Sequence, residues 1–340
     1  MSLPKLSVLQ PRETIDAPEG ISALAWSPSG EKLAVASLAG EIQVASFSPA
    51  FSRQLLDGHP MGTFALAWWS ETDLVSGGAD GAARIWNLSD NTSTALDLEK
   101  NRVWVEHLAL SPDRNFLAVG AGPSISLWNK QRECVRRLPK LKSTVADLRW
   151  HPKGKFLASV ANAQVCFWRA GSEKPVNEFH YGSSLLAGAW SPQGDWFVTG
   201  CQDASVHLWK TASGEDLHMS GYPRKIRELS FHPGGRWLAV GGSPEITVWD
   251  FKTSPAGTTP RQLVAHKDFV TQLAFSPDGK WLASGAEDGL VFVWPAEGVD
   301  LPVAGYKMGS PVTQLAWKPD GAELAAGGED GRVAVLPVPE

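Results

Sequence analysis

A repeat of about 42 residues runs through the chain, and it constrains the fold more than any other feature of the sequence. A large residue that ends a strand-like segment recurs eight times, at steps of 42, 42, 40, 40, 41, 44 and 42 residues. We call these the anchor residues and number repeats 1 to 8 after them: Trp26, Trp68, Leu110, Trp150, Trp190, Phe231, Phe275 and Trp317. Self-similarity at a fixed period indicates one supersecondary unit copied along the chain, each copy burying its apolar face against the next.

Repeat 7 shows most clearly what one copy contains. Phe275 ends a first strand of alternating pattern, and Ser276–Gly279 has the Pro and Gly of a tight turn. A second strand follows from Trp281 to Gly285, and Asp288-Gly289 marks a second turn. The apolar segment Leu290–Trp294 then predicts a third strand. Between repeats, 15–20 residues remain, which is enough for an outer fourth strand and a loop.

A second position, 18 or 19 residues after each anchor, carries a further aromatic signal. It is occupied by Ala45, Trp86, Trp128, Trp168, Trp209, Trp249, Trp294 and Leu336. Six of these eight are Trp, which accounts for much of the chain's total of 16 tryptophans. Because each buried aromatic removes about 150–250 Å² from water, the repeat predicts a large core shared between neighbouring copies.

The period, the four strands per copy and the Trp that ends the third strand resemble WD40 repeats, which form β-propeller blades. The resemblance covers almost the whole chain and implies one all-β domain over residues 1–340. We predict an eight-bladed propeller of four-stranded antiparallel blades. The alternative is seven blades with one odd unit outside the ring, because repeats 1 and 8 have Ala45 and Leu336 where the others have Trp.

Closure of the ring requires a strand from elsewhere. After repeat 8 only Pro337 to Glu340 remain, too few for an outer strand. A spare strand lies near Leu6–Leu9, with an extension towards Ile15. We expect this N-terminal strand to complete the last blade and remove an exposed sheet edge.

In the WD40 family, a His, a Ser or Thr, an Asp and the Trp form a hydrogen-bonded tetrad. The resemblance places two complete tetrads in this chain: His59, Ser76, Asp80 and Trp86 in repeat 2, and His266, Ser284, Asp288 and Trp294 in repeat 7. Repeat 5 has Thr199, Asp203 and Trp209, but His180 is one residue out of register. These residues have structural roles in this interpretation, because a buried indole N–H and a buried carboxylate both need partners.

No catalytic motif stands out. The chain lacks a phosphate-binding loop, a G-x-S-x-G elbow and an H-E-x-x-H pair. Cys134, Cys166 and Cys201 fall at no metal or disulfide spacing. We therefore expect no catalytic residue, no metal and no cofactor. With no signal-peptide pattern and no long apolar run, we also expect a soluble, cytoplasmic protein.

The surface most suited to a partner is the face that carries the loops before the first strand and after the second. Position within the repeat places several large or charged residues there. The predicted partner-binding residues are Phe64, Trp104, Glu106, Lys225, Arg227, Phe269, Glu287 and Glu329. Aromatic residues and Arg are typical of interface hot spots. The alternatives are that these aromatics pack between blades and that Arg227 pairs with Glu228 or a neighbouring Glu.

These features favour a non-enzymatic scaffold that binds a protein or peptide on that face. The alternatives are an enzyme, or a metal- or small-molecule-binding propeller that uses the channel mouth as a pocket, and a permanent subunit of a larger complex. A net charge of −5 and a pI of about 5.9 argue against nucleic acid or an anionic membrane as the main partner. On its own we expect the protein to be a monomer.

Overall fold

A computed structural model describes residues 6–98 and 103–339 of the chain. All the regular structure in these ranges is β-strand, which confirms the all-β prediction. No helix in them has the length and hydropathy that a membrane span requires.

The first half of the chain forms sixteen strands. In chain order they are β1 (Ser7–Val8), β2 (Glu13–Asp16), β3 (Ile21–Trp26), β4 (Lys32–Ser37), β5 (Ile42–Ser46), β6 (Ser52–Leu56), β7 (Thr63–Trp68), β8 (Asp73–Gly78), β9 (Ala83–Asn87), β10 (Thr92–Ala95), β11 (Val105–Leu110), β12 (Phe116–Ala121), β13 (Ser124–Asn129), β14 (Cys134–Arg137), β15 (Asp147–Trp150) and β16 (Leu157–Trp168).

The second half adds fifteen. They are β17 (Asn177–Trp190), β18 (Trp196–Cys201), β19 (Val206–Lys210), β20 (Asp216–Met219), β21 (Leu229–Phe231), β22 (Trp237–Val240), β23 (Ile246–Asp250), β24 (Arg261–Leu263), β25 (Val270–Phe275), β26 (Trp281–Ala286), β27 (Leu290–Pro295), β28 (Ala304–Lys307), β29 (Val312–Trp317), β30 (Glu323–Gly328) and β31 (Arg332–Pro337).

Each repeat folds as an up-and-down antiparallel meander. In repeat 7, β25 pairs with β26, β26 with β27 and β27 with β28. The turn between β25 and β26 needs Gly279, whose φ of 76° is in the left-handed region and whose Cα faces the imidazole of His232 in the preceding repeat. The turn therefore both reverses the chain and packs against its neighbour.

The number of blades differs from the main prediction. The strands hydrogen-bond into seven continuous sheets, and not into eight separate ones. The difference arises at β17, whose first part pairs with β16 and whose last part pairs with β18. Asn162 pairs with Ser184 between these two parts, so repeats 4 and 5 join into one six-stranded sheet. Seven was the alternative number, but no described repeat lies outside the ring.

The first strands of all eight repeats line the centre. They contact one another in the order β3, β7, β11, β15, β17, β21, β25 and β29, and β29 returns to contact β3. The ring is therefore closed by packing between the first and last repeats as well as by strand pairing.

The N-terminal segment completes the last blade, as predicted, but it does so through the residues around Ile15 and not through Leu6–Leu9. Residues 13–16 (β2) pair antiparallel with β31 and supply its outer strand. Ser7–Val8 (β1) instead adds in parallel to β28, as a fifth strand of the preceding sheet. Ile15 explains the choice, because its side chain is fully buried among residues of repeats 1 and 8, whereas Val8 is exposed.

The core lies between neighbouring repeats, as the shared aromatic positions predict. In one cluster, Ile42 and Val44 of repeat 1 pack with Trp68, Leu74 and Trp86 of repeat 2. The anchor Trp also makes a polar contact across the same boundary. Five anchors donate their indole N–H to a carbonyl of the preceding repeat at 2.8–3.0 Å: Trp26, Trp68, Trp150, Trp190 and Trp317.

Candidate functional site

The loop before β7 is fixed by a hydrogen-bonded network in repeat 2. His59 Nδ1 lies 2.8 Å from Asp80 Oδ1, and His59 Nε2 lies 2.7 Å from Ser76 Oγ. Trp86 Nε1 donates to the same hydroxyl at 2.7 Å, and Arg84 donates to Asp80 at 2.7 Å. Burial lowers the pKa of His59, which favours the neutral imidazole. The structure thus brings the four predicted tetrad residues of this repeat together.

Repeat 7 has the same arrangement. Trp294 Nε1 and His266 Nε2 both lie 2.8 Å from Ser284 Oγ, and His266 Nδ1 lies 3.3 Å from the Asp288 carboxylate. Asp288 also accepts from the backbone N–H groups of Lys267 and Leu290. The network ties the loop before β25 to the turn before β27, so both loops are held on the same face.

Tyrosines take the place of His in repeats 5 and 6, which the sequence reasoning missed. His180 is exposed, and Tyr181 instead donates to Asp203 at 2.9 Å. In repeat 6, the Tyr222 hydroxyl accepts from Trp249 Nε1 at 3.1 Å and lies 2.9 Å from Thr247. A search for any residue with a polar tip in the His position would have found both tyrosines.

Phe64 and Trp104 form an aromatic pair on the loop face. Their ring centroids are 5.3 Å apart at an interplanar angle of 50°. Phe64 is half-buried and Trp104 keeps 51% of its surface exposed. The two rings therefore pack against each other between repeats 2 and 3, and partner binding by the exposed Trp104 stays a prediction.

The second group of predicted residues lies in repeats 6 and 7. Its centre is Arg224, which the sequence reasoning did not select. The Arg224 guanidinium lies 3.8 Å from the centroid of the Phe269 ring and 2.6 Å from Glu287 Oε1. Lys225 and Arg227 are exposed beside it. Within residues 6–98 and 103–339, no ion pair joins Arg227 to Glu228, although the nearby Arg227 charge opposes the rise that burial causes in the pKa of Glu228.

The remaining predicted residues are acidic and lie apart from this group. Glu329 is exposed in the turn after β30, where its backbone N–H bonds the Pro311 carbonyl. Glu106 is exposed at the channel mouth and lines a cavity of about 270 Å³ with Phe64, Asp147 and Arg149.

Titratable groups also line the channel below this mouth. Asp147 accepts from Arg149 Nε at 2.9 Å and from the Gly188 N–H at 2.9 Å, which bridges repeats 4 and 5. Burial lowers the pKa of His107 and raises the pKa of Glu228 to about 8. The channel wall is polar, but its charged groups mostly hold neighbouring inner strands together.

The described residues hold no cluster of His, Cys, Asp and Glu side chains suited to a metal ion. All three cysteines are free, and burial raises the pKa of Cys166 to about 12 and raises that of Cys201. The two buried thiols are therefore poor nucleophiles.

Further exposed residues on this face lie one repeat position away from those that the sequence analysis selected. Arg224, Met61 and Val103 all lie seven residues before their anchors, one position earlier than Lys225 and Trp104. Leu38 occupies the position in repeat 1 that Glu287 occupies in repeat 7. It escaped notice because repeat 1 has Ala39 where a tetrad Asp would stand.

Comparison with curated proteins finds similarity to several regulatory and RNA-processing proteins. The chain is 26% identical over 263 residues (69% of the chain) to telomerase protein component 1 of Rattus norvegicus, and 27% identical over 188 residues (53%) to the transcriptional corepressor LEUNIG_HOMOLOG of Arabidopsis thaliana. It is 23% identical over 209 residues (58%) to pre-mRNA-processing factor 17 of Saccharomyces cerevisiae. The matches cover 9%, 23% and 46% of these relatives, so the chain corresponds to a part of each.

Among solved structures, the computationally designed Ika8 protein has the same fold. The TM-score is 0.81 at 23% identity, covering 98% of this chain and 100% of that one. The family model for the WD domain, G-beta repeat, matches residues 51–87, 132–169, 173–210, 216–250, 257–295 and 304–335. These segments include the first three strands of repeats 2 and 4 to 7 and almost all of those of repeat 8, and together they cover more than half of the chain. The chain therefore belongs to the WD40 repeat family.

Proposed function

We propose that this protein is a non-enzymatic scaffold that binds a protein or peptide on the loop face around the channel mouth. The observation that carries the proposal is the Phe64–Trp104 pair, in which a tryptophan is held by ring packing and half exposed. A rigid, exposed aromatic gives contact area at low cost in conformational entropy, as interface hot spots do.

The family and the relatives support this role. WD40 propellers generally act as platforms for protein partners, and two of the relatives are named as a transcriptional corepressor and a pre-mRNA-processing factor. We place the function in the cytoplasm, in keeping with three free cysteines.

The test is affinity purification from native lysate with wild-type protein and a Trp104→Ala, Arg227→Glu variant. The matched control carries Val299→Ala and Lys153→Glu, two exposed positions outside the loop face. We expect a stoichiometric partner with wild type and control, and its loss with the loop-face variant at unchanged melting temperature. A partner retained by all three proteins would refute this location.

A ligand site in the channel is the second candidate function, favoured by the cavity of about 270 Å³ and the carboxylates beside it. Native mass spectrometry of the purified protein would distinguish the two. A small molecule bound in equimolar amount, and lost on Asp147→Asn substitution, would favour the channel.

A further inference from the structure

We propose that the partner segment is an acidic peptide with large apolar side chains, and that it crosses the channel mouth with its apolar part on repeats 1 to 3 and its carboxylates on repeats 6 and 7. This inference rests on the proposed function and names the chemistry of the partner.

The apolar part is a strip formed by Leu38, Met61, Phe64, Val103 and Trp104, which we call the apolar strip. Met61 is 81% exposed, Trp104 51% and Leu38 47%. Within the strip, the Phe64 ring and the Leu38 carbonyl both lie against Gly62, and the Phe64 ring centroid lies 5.3 Å from that of Trp104. Contiguous exposed apolar side chains on a soluble domain mark an interaction site.

The backbone below the apolar strip is fixed before any partner arrives. The Gly62 N–H bonds the His59 carbonyl at 3.3 Å, and the Ala79 N–H bonds the Gly62 carbonyl at 3.0 Å. His59 itself is held by Asp80 and Ser76. A partner therefore meets a preorganised surface, and ordering this loop costs little on binding.

The charged part lies in repeats 6 and 7 and consists of Lys225, Arg227 and Lys267, which we call the basic patch. All three are exposed, and none forms an ion pair with another described residue. Arg224 differs, because its charge is already neutralised by Glu287 at 2.6 Å. The basic patch thus offers three cations that an anionic partner can use.

The order of the inner strands fixes how the two parts relate. The apolar strip in repeats 1 to 3 and the basic patch in repeats 6 and 7 are separated by repeats 4 and 5 on one side of the eight-strand ring and by repeat 8 on the other, so they lie on opposite sides of the channel mouth. Glu106 lies on the strip side and would repel a carboxylate there. The partner's acidic residues are therefore directed to the basic patch, which gives the bound segment one orientation.

The experiment uses a phage-displayed library of random peptides of about 12 residues, selected on the full chain. We expect enriched peptides to combine an aromatic or large aliphatic residue with a run of Asp and Glu. The tightest peptide is then synthesised for fluorescence anisotropy. Trp104→Ala should weaken its binding about 30-fold. Lys225→Glu with Arg227→Glu should weaken it about tenfold, with a reduced dependence on salt.

Matched variants outside the loop face, Val299→Ala and Lys153→Glu, should leave the affinity unchanged. Enrichment of neutral or basic peptides, or of none, would overturn the inference. So would equal loss of binding in the matched variants. A lysate partner mapped to this face together with neutral selected peptides would leave the proposed function standing and remove only the acidic chemistry.

Discussion

The tetrad His position is occupied by His in repeats 2 and 7 and by Tyr in repeats 5 and 6, and the two residue types form different hydrogen bonds. In repeats 2 and 7 one serine hydroxyl joins the His to the Trp, and the His continues to the Asp of the turn. In repeat 5, Tyr181 reaches the turn at Asp203, while Thr199 bonds the His207 carbonyl instead. In repeat 6, Tyr222 reaches the Trp249 indole.

The His repeats and the Tyr repeats differ in whether one side chain links the turn to the Trp indole, more than in the polarity of their side chains. A His with two ring nitrogens bonds the Asp of the turn and the Ser hydroxyl at the same time. Among the described residues, the Tyr181 hydroxyl contacts only Asp203 and Ser205, and the Tyr222 hydroxyl contacts only Trp249 and Thr247, so neither tyrosine links the turn Asp to the indole. The His repeats should therefore behave as coupled networks and the Tyr repeats as separate bonds. The loop that carries Met61 depends on a coupled network, since the His59 carbonyl accepts from the N–H of Gly62, the residue after Met61.

The largest expected effect is the loss of a buried tryptophan from a His repeat. Trp294 is fully buried, and Trp294→Ala should lower the free energy of unfolding by about 3–5 kcal/mol through cavity formation. Trp249 in repeat 6 is half-buried, so Trp249→Ala should cost clearly less. Urea unfolding followed by tryptophan-independent circular dichroism measures both. Equal losses would remove the distinction between the two kinds of repeat.

Removal of the imidazole is the next largest effect. His59→Ala removes one hydrogen bond each from Ser76 and Asp80, which keep Trp86 and Arg84 as partners, and leaves a cavity in a buried place, so it should cost about 2 kcal/mol. Tyr181→Phe removes one hydrogen bond to the exposed Asp203 and should cost about 0.5–1 kcal/mol. Thermal and urea unfolding of the two variants would rank them, and the opposite order would break the comparison.

The energetic coupling between the side chain that bonds the turn and the Trp indole tests the comparison of the two kinds of repeat more directly. In repeat 7, His266→Ala and Trp294→Phe share Ser284, so a double-mutant cycle should give an interaction of about 1 kcal/mol. The matched cycle in repeat 5, Tyr181→Phe with Trp209→Phe, should give an interaction near zero. A coupling in repeat 5 as large as that in repeat 7 would show that its turn and indole are linked after all.

The period and turn residues of the sequence were enough to predict repeated β-meanders, and the resemblance to WD40 repeats implied the propeller and the grouping of the two tetrads. The sheet count could not be predicted. Strand β17 continues without a break from its pairing with β16 to its pairing with β18, and the spacing of residues along the chain does not show this continuity.

The candidate site was only partly predictable for a similar reason. Register places Phe64 and Trp104 on one face, yet the contact between their rings depends on how far one repeat is rotated against the next. The same holds for Arg224, which crosses from repeat 6 to Phe269 in repeat 7. Contacts between repeats are set by packing geometry, whereas contacts within a repeat follow from residue order.

The pH dependence of the free energy of unfolding should show the smallest difference between the His repeats and the Tyr repeats, and that difference depends on the tetrad histidines alone. Burial lowers the pKa of His59 and His266 in the folded protein, while an unfolded His titrates near pH 6.5. As pH falls through 6.5 the unfolded state therefore takes up protons first, and the free energy of unfolding decreases. Burial raises the pKa of Asp80, but its hydrogen bonds outweigh this and leave it below 3.8, so Asp80 adds no slope above pH 5.

Replacing both tetrad histidines should therefore flatten the stability profile between pH 7 and pH 5, although each replacement lowers stability at pH 7. The remaining slope belongs to His107, His151 and His207, whose pKa values burial also lowers, and it is opposed by Glu228, whose pKa burial raises to about 8. The control is Tyr181→Phe with Tyr222→Phe, which should keep the wild-type slope because burial raises the pKa of both tyrosines, away from this range. Urea midpoints at half-unit pH steps provide the measurement. An unchanged slope in the His59→Gln, His266→Gln variant would mean that the two networks already accept a proton when folded.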